Sequence, residues 1–143
     1  MYKPLNIDKY KGKSYPICRS SWEYSFCSWL DRNCKVLQWD SESIAIPYHD
    51  PSNQVVNGKV KVRRYYPDYI VKIESGGEVK TWLIEIKPYK ETVPPKRSLK
   101  QSTKTVLYEA RTWRTNEAKW RAAQVYCKQR NWVFKILTEK DLF

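Results

Sequence analysis

Two runs rich in Val, Ile, Tyr and Trp, Lys59–Ile73 and Glu78–Lys87, have Ser75-Gly76-Gly77 standing between them. A Gly-Gly pair between such runs is a hairpin turn signal. With Gly76 and Gly77 at the centre of the turn, residue 75 pairs with 78, 72 with 81 and 68 with 85. Asp68 then falls directly opposite Glu85, where opposed Cβ atoms stand about 4.5–5.5 Å apart and like charges are destabilising. Two facing carboxylates call for a shared proton or a cation. Lys87 lies two residues past Glu85 on the same strand face, while Ile84 and Ile86 point the other way, into a core. Three charged side chains therefore converge at one end of a hairpin.

The remainder of the chain must supply a core for that hairpin. Its 143 residues suit one domain, and 41% hydrophobic with 15% aromatic residues is too apolar for a disordered chain. No apolar run approaches the roughly 20 residues of a bilayer span. The opening MYKPLNIDKYKGKSY lacks the apolar stretch of a signal peptide. A soluble intracellular protein with no membrane partner is the expectation. Cys18, Cys27, Cys34 and Cys127 form no C-x-x-C pair and lie far in sequence from the single histidine, His49. Buried, reduced thiols are the expected reading rather than a zinc site.

Residues 1–19 read as an irregular N-terminal arm, and 20–143 as a single domain. Ser20-Ser21-Trp22-Glu23 is a capping box opening a helix, and Trp22, Phe26, Trp29 and Leu30 give it an apolar face to about Asn33. Residues 36–39 and 43–48 read as short strands, and 49–58 as a turn-rich loop containing His49. Residues 88–102 hold three prolines and four basic residues and read as an irregular basic loop. Val106, Leu107, Ala110 and Trp113 mark a second helix, and Asn116 is placed to cap a third carrying Trp120, Ala123 and Cys127. Residues 132–138 read as a last strand, which suits a mixed sheet. The expected fold class is α/β, a mixed sheet with a central antiparallel hairpin and helices on both faces. The seven tryptophans read as core.

Charge points to the partner. Lys and Arg number 27 against 15 Asp and Glu, a formal +12, which suits a polyanion, nucleic acid before an anionic membrane. Residues 1–58 carry a net +1 and residues 59–143 a net +11. The basic groups form three sets. Lys59, Lys61, Arg63 and Arg64 precede the carboxylates, and Lys90, Lys96, Arg97, Lys100 and Lys104 follow them. Arg111, Arg114, Lys119 and Arg121 ride on the helical region. The loop after Lys87 is the favoured phosphate contact, with Lys90 and Lys96 first, because backbone contacts position DNA without reading its sequence. Within this basic part, residues 65–85 carry a net −2. Carboxylate oxygens suit Mg²⁺, which keeps several waters when held by one or two carboxylates. Such an ion at Asp68 and Glu85 would activate water beside a phosphate, with Lys87 assisting.

Pro67-Asp68, a 16-residue spacer, then Glu85-Ile86-Lys87 resembles the PD-(D/E)xK signature of restriction-endonuclease-like nucleases. The resemblance implies a restriction-endonuclease-like core, Mg²⁺ as cofactor with Mn²⁺ as a substitute, and Asp68, Glu85 and the Ile86 carbonyl as metal ligands. Glu23 matches the additional helix glutamate of many such enzymes, which adds it to Asp68, Glu85 and Lys87 as a catalytic residue. RSSWE (19–23), RRYYPDY (63–69), IEIKPYKET-VPP (84–95), TW-R-TN-EAKWRAA (112–123) and ILTE (136–139) resemble the head completion nucleases of T-even-type tailed phages. This resemblance implies an endonuclease processing phage DNA ends, made in the host bacterial cytoplasm or carried in the virion, with portal or head proteins as partners.

Plainer readings compete. Glu23 is the N3 residue of its capping box and has a backbone N–H to bond. Ser20 reads as a cap alone, and Arg19 beside it favours phosphate at a helix N-terminus. Pro67 needs an edge or a bulge if it lies inside a strand. Tyr65, Tyr66 and Tyr89 read as packing residues before base-stacking ones. The DNA contacts expected are Arg19, Arg63, Arg64, Lys90, Lys96, Arg97 and Lys100. A rival reading keeps the fold but makes the chain a structural DNA-end or portal-binding protein with a vestigial site.

Overall fold

The computed structural model describes residues 1–51, 58 and 61–142. Among them the elements run α1 (Ser21–Arg32), β1 (Val36–Ser41), β2 (Ile46–His49), β3 (Val62–Tyr65), β4 (Tyr69–Ser75), β5 (Glu78–Ile86), α2 (Thr103–Arg130), β6 (Val133–Leu137) and α3 (Glu139–Leu142). Four strands form one sheet in the order β1-β4-β5-β6, and β2 with β3 forms a second, two-stranded sheet. β1, β4 and β5 are antiparallel neighbours, and β6 runs parallel to β5.

The hairpin register is the one its glycines dictate. Gly76 and Gly77 adopt φ of 60° and 81°, which a side chain would resist. Ser75 pairs with Glu78, Lys72 with Thr81 and Tyr69 with Ile84. Alternation along β4 and β5 then sorts the two faces. Tyr69, Val71, Ile73, Ile84 and Ile86 pack with Phe26, Cys27 and Leu30 of α1 and with Val36 and Trp39 of β1. On the opposite face Leu83 packs with Ile46, Tyr48 and Tyr65 of the small sheet and with Trp120, Ala123 and Cys127 of α2. Helices thus cover both faces, as expected.

Three expectations need correction. The run expected as one strand to Ile73 is broken at Pro67: β3 pairs with β2, and β4 starts afresh in the main sheet. Pro67 lies in neither ladder, so its missing N–H leaves no gap, and the edge or bulge invoked for it is unnecessary. Second, there is one long helix where two were expected. Ser102 caps α2 by accepting from the Thr105 N–H, and no Gly or Pro interrupts it before Asn131, which ends it at φ 58°. Asn116 is buried in its middle and caps nothing. Third, His49 ends β2 opposite Val62 rather than lying in a loop. The rest of that expected loop, apart from Asp50, Pro51 and Gly58, lies outside the described residues, as does Lys59. Trp39 and Trp120 are core, but Trp29 is 43% exposed and stacks on Phe26. The four cysteines are free thiols.

Residues 1–19 hold no helix or strand, yet Tyr2 and Tyr10 are buried against Trp39. The anchor is Asp31 of α1, fully buried. Its carboxylate accepts from Tyr2 O–H (2.8 Å), Leu5 N–H (2.7 Å) and Asn6 N–H (2.9 Å). Burial alone would raise its pKa, but these donors outweigh burial and hold it below the usual range. The stabilisation is therefore present above the unfolded carboxylate pKa and is lost as pH falls through the depressed folded value. Asp31→Ala orphans three donors and should destabilise by about 3 kcal/mol in urea unfolding. Asp31→Asn should flatten the decline in stability below pH 4; an unchanged acid limb would show the charge to be unimportant.

Candidate active site

The break at Pro67 delivers Asp68 to the mouth of β4, one residue before the ladder begins. Since Tyr69 pairs with Ile84, Asp68 stands across from Glu85. Asp68 Oδ2 accepts from the Ile86 N–H at 2.8 Å, so the neighbouring strand itself orients the carboxylate. Glu85 points to the α2 side of the sheet. Its Oε2 accepts from the Tyr65 hydroxyl at 2.7 Å, and Lys87 Nζ stands 3.9 Å from its Oε1. The sequence brings these three charged groups together as its alternation requires.

The pair is electrostatically uncomfortable. Burial first, and then the Glu85 charge, push the Asp68 carboxyl up, while the single Ile86 N–H pulls it down. Glu85 is also raised by burial, against the Tyr65 hydroxyl and the Lys87 and Lys119 charges. The Tyr65 phenol is pushed far up by burial and by Glu85, so it remains a donor at any ordinary pH. A buried carboxylate pair with incomplete neutralisation is a place for a proton or a cation.

Glu23 stands apart from this trio. Its N–H donates to Ser20 Oγ at 3.2 Å, and its Oε2 accepts from the Arg19 N–H at 2.5 Å. The capping box closes one residue early, on Arg19. The Glu23 charge contributes to the rise at Asp68 only after burial and Glu85. Among the described residues, no three His, Cys, Asp or Glu side chains come together to hold a metal. Arg19 pairs with Glu42, whose backbone N–H donates to the Asp68 carbonyl at 3.0 Å.

Of the other expected DNA contacts, Arg64 is exposed on β3, and Arg63 pairs with Asp50 at 3.4 Å. Lys90 sits in a short 3-10 turn at Tyr89–Glu91, directly after the site. Lys96, Arg97 and Lys100 are exposed in the irregular loop that follows. Two groups at the site escaped the sequence reading, Tyr65 as the partner of Glu85 and Asp50 as a buried acid. Asp50 accepts from Thr115 Oγ1 at 2.9 Å, tying the small sheet to α2. Neither carried a sequence signal, because Tyr65 ends β3 and Asp50 follows β2, and each meets partners on elements far away in sequence. Lys119 did carry one. It lies three residues after buried Asn116 and four before buried Ala123, so helical spacing puts a lysine on a packed face.

A family profile described as "TnsA-like endonuclease N terminal" matches residues 33–139. That span contains Asp68, Glu85 and Lys87 and leaves Arg19 and Glu23 outside it. The head completion nuclease of Enterobacteria phage T4 is 42% identical over 143 residues, covering 97% of this chain and 89% of its own length. Likeness across nearly the full length, with the paired carboxylates inside the matched span, places the chain in the TnsA-like endonuclease family as a nuclease.

Proposed function

We propose that the chain is a Mg²⁺-dependent endonuclease that hydrolyses phosphodiester bonds in phage DNA, trimming DNA ends during head completion. The observation that carries this reading is the facing pair Asp68 and Glu85 beside Lys87, in a chain of formal charge +12. The donor set fits the ion. Both groups are hard oxygen donors, each gripped through one oxygen, Asp68 Oδ2 by Ile86 and Glu85 Oε2 by Tyr65. Two carboxylates, with the carbonyl of Ile86 directly after Glu85, would leave several positions to water, as Mg²⁺ prefers. Bound there, the ion supplies positive charge for the phosphate oxygens and a water of lowered pKa.

The protein's own groups do the rest. Tyr65 and the Ile86 N–H each hold one oxygen of a carboxylate, which limits the reorganisation needed when substrate arrives. Lys87, held near Glu85, orients the attacking water in line with the leaving oxygen and stabilises the charge growing on the phosphorus oxygens. Glu23 supports the site from α1 by adding its charge near Asp68 and holding the Arg19 backbone. Arg64, Lys90, Lys96, Arg97 and Lys100 hold the DNA backbone, which explains why the acidic centre is bracketed by bases. Portal or head proteins are the partners this reading assigns, with action in the host cytoplasm or in the virion.

Plasmid and linear duplex incubated with Mg²⁺ or Mn²⁺ should be cut by the wild type. Asp68→Asn, Glu85→Gln and Lys87→Ala should each lower the rate by about 10²-fold or more. Equal cutting by wild type and variants would remove these residues from the mechanism. DNA binding with a steep salt slope and no cutting would favour the structural rival. Replacing both Lys96 and Arg97 by Ala should reduce the slope of log K against log salt by about 1.8 for two phosphate contacts; an unchanged slope takes the loop out of the interface.

The charge pair also makes a stability prediction. Both carboxyls are raised in the folded, metal-free chain, so the folded state binds more protons than the unfolded one above pH 4. Stability contributed by the pair is full below the unfolded pKa and falls as pH rises through the folded values. At pH 8 without metal, Asp68→Asn should raise the unfolding temperature, by about 4 °C per kcal/mol relieved. At pH 4 the difference should vanish. Mg²⁺ should stabilise the wild type at pH 8 and do little for the variant. A variant less stable than wild type at pH 8 would contradict the charge strain.

A further inference from the structure

The four basic residues of the helical set do not share one environment. Arg111 and Arg114 are exposed, and Arg121 pairs with Glu117 across one turn of solvent-facing helix. Lys119 alone is on the packed side, part-buried. Thr115, one turn earlier on the same face, donates to Asp50, and this bond fixes how α2 is rotated over the small sheet. Lys119 Nζ consequently stands 5.8 Å from the centre of the Tyr65 ring, whose hydroxyl holds Glu85.

The charges around Lys119 come from both sheets: Lys87 and Glu85 from the end of β5, Asp50 and Arg63 from the small sheet. Among the described residues no carboxylate comes within 4.0 Å of its nitrogen, because Glu85 is taken by Tyr65 and Lys87, and Asp50 by Thr115 and Arg63. Burial, and after it Lys87, lower the pKa of the ammonium group. Lys119 is thus part-buried near two other cations, with the Tyr65 ring at 5.8 Å and no ion-pair partner among the described residues. An incoming anion would relieve that arrangement.

We propose that Lys119 is a further phosphate-holding residue of the nuclease site, donating to a nonbridging oxygen of the substrate phosphodiester from the α2 side while Lys87 acts from the β5 side. The substrate backbone would then run between α2 and the end of β5, near Tyr65. Lys119 would bind through charge and a hydrogen bond without discriminating bases, and Arg63, set by Asp50, would continue the same cationic line toward the small sheet.

The proposal rests on the nuclease reading above, and its test separates the two. Lys119→Met keeps the stem and removes the charge; Lys119→Arg restores a charge. Duplex binding is measured across a salt series in an Asp68→Asn background, and cleavage with Mg²⁺ in the otherwise wild-type chain. Lys119→Met should reduce the salt slope by about 0.9. It should lower kcat/KM by about tenfold or more, the loss of one charge-assisted hydrogen bond. Lys119→Arg should recover most of both, and the unfolding temperature of Lys119→Met should equal or exceed that of wild type. An unchanged slope, or a fall in unfolding temperature with the slope unmoved, would make Lys119 a packing cation over Tyr65 and overturn the proposal. A wild type that cuts no DNA would overturn the nuclease mechanism, and the slope would still decide whether Lys119 holds phosphate.

Discussion

The site depends on a turn at the far end of its hairpin. Gly76 and Gly77, both at positive φ, determine which residue of β4 faces which residue of β5, and that register runs unbroken to Tyr69 and Ile84. One more step puts Asp68 beside Glu85. A slip of one residue would send Glu85 into the α1 core and Ile84 into the site. Hydrophobic sorting enforces the same answer, since Tyr69, Val71, Ile84 and Ile86 all bury on the α1 side. The burial of one face is therefore what holds the carboxylates on the other.

The chain contains two kinds of buried acid, and comparing them separates support from chemistry. Asp31 is wholly enclosed but accepts from two backbone N–H groups and a tyrosine hydroxyl, so its carboxylate is held in the charged form. Asp68 accepts from one N–H and faces a second carboxylate, so it is pushed toward the neutral form. Burial opposes charge in both; the donors decide the sign. A fold-supporting acid has its donors supplied, and the pair at the hairpin mouth is left short of them. That shortage leaves the doubly charged form of the pair unfavourable, and in the proposed mechanism a cation would offset it.

Much of this was legible in the sequence. The hairpin register, the convergence of Asp68, Glu85 and Lys87, the Ser20 cap and the parallel last strand follow from turn chemistry and alternation. What escaped did so for definable reasons. Pro67 marks a change of sheet rather than a fault within a strand, which the sequence does not reveal because both halves of the run have strand composition and only partner choice distinguishes them. Asn116 has the residue type of a cap, but the helix runs on through it, with Asn116 itself buried on the face that carries Trp120, Ala123 and Cys127. Tyr65 reaches Glu85 from the second sheet, and Asp50, just after β2, reaches Thr115 of α2, through contacts between segments that no local pattern connects.

The distribution of charge follows from the same geometry. A nuclease must attract a polyanion and also keep carboxylates where the backbone arrives, and these demands conflict. The fold reconciles them by depth. Asp68 and Glu85 sit at the end of two central strands, partly or wholly buried, whereas Arg64, Lys96, Arg97 and Lys100 are exposed around them. At a distance the cations dominate, and DNA is drawn in by a net +12. Only at contact would the backbone meet the acidic pair, and in the proposed mechanism a bound cation would offset the repulsion there. A strand end supplies such a place, because alternation brings two carboxylates onto one face while Lys96, Arg97 and Lys100 occupy the irregular segment beyond β5. The acid centre and basic surround are thus one consequence of putting the carboxylate pair at the mouth of a buried hairpin.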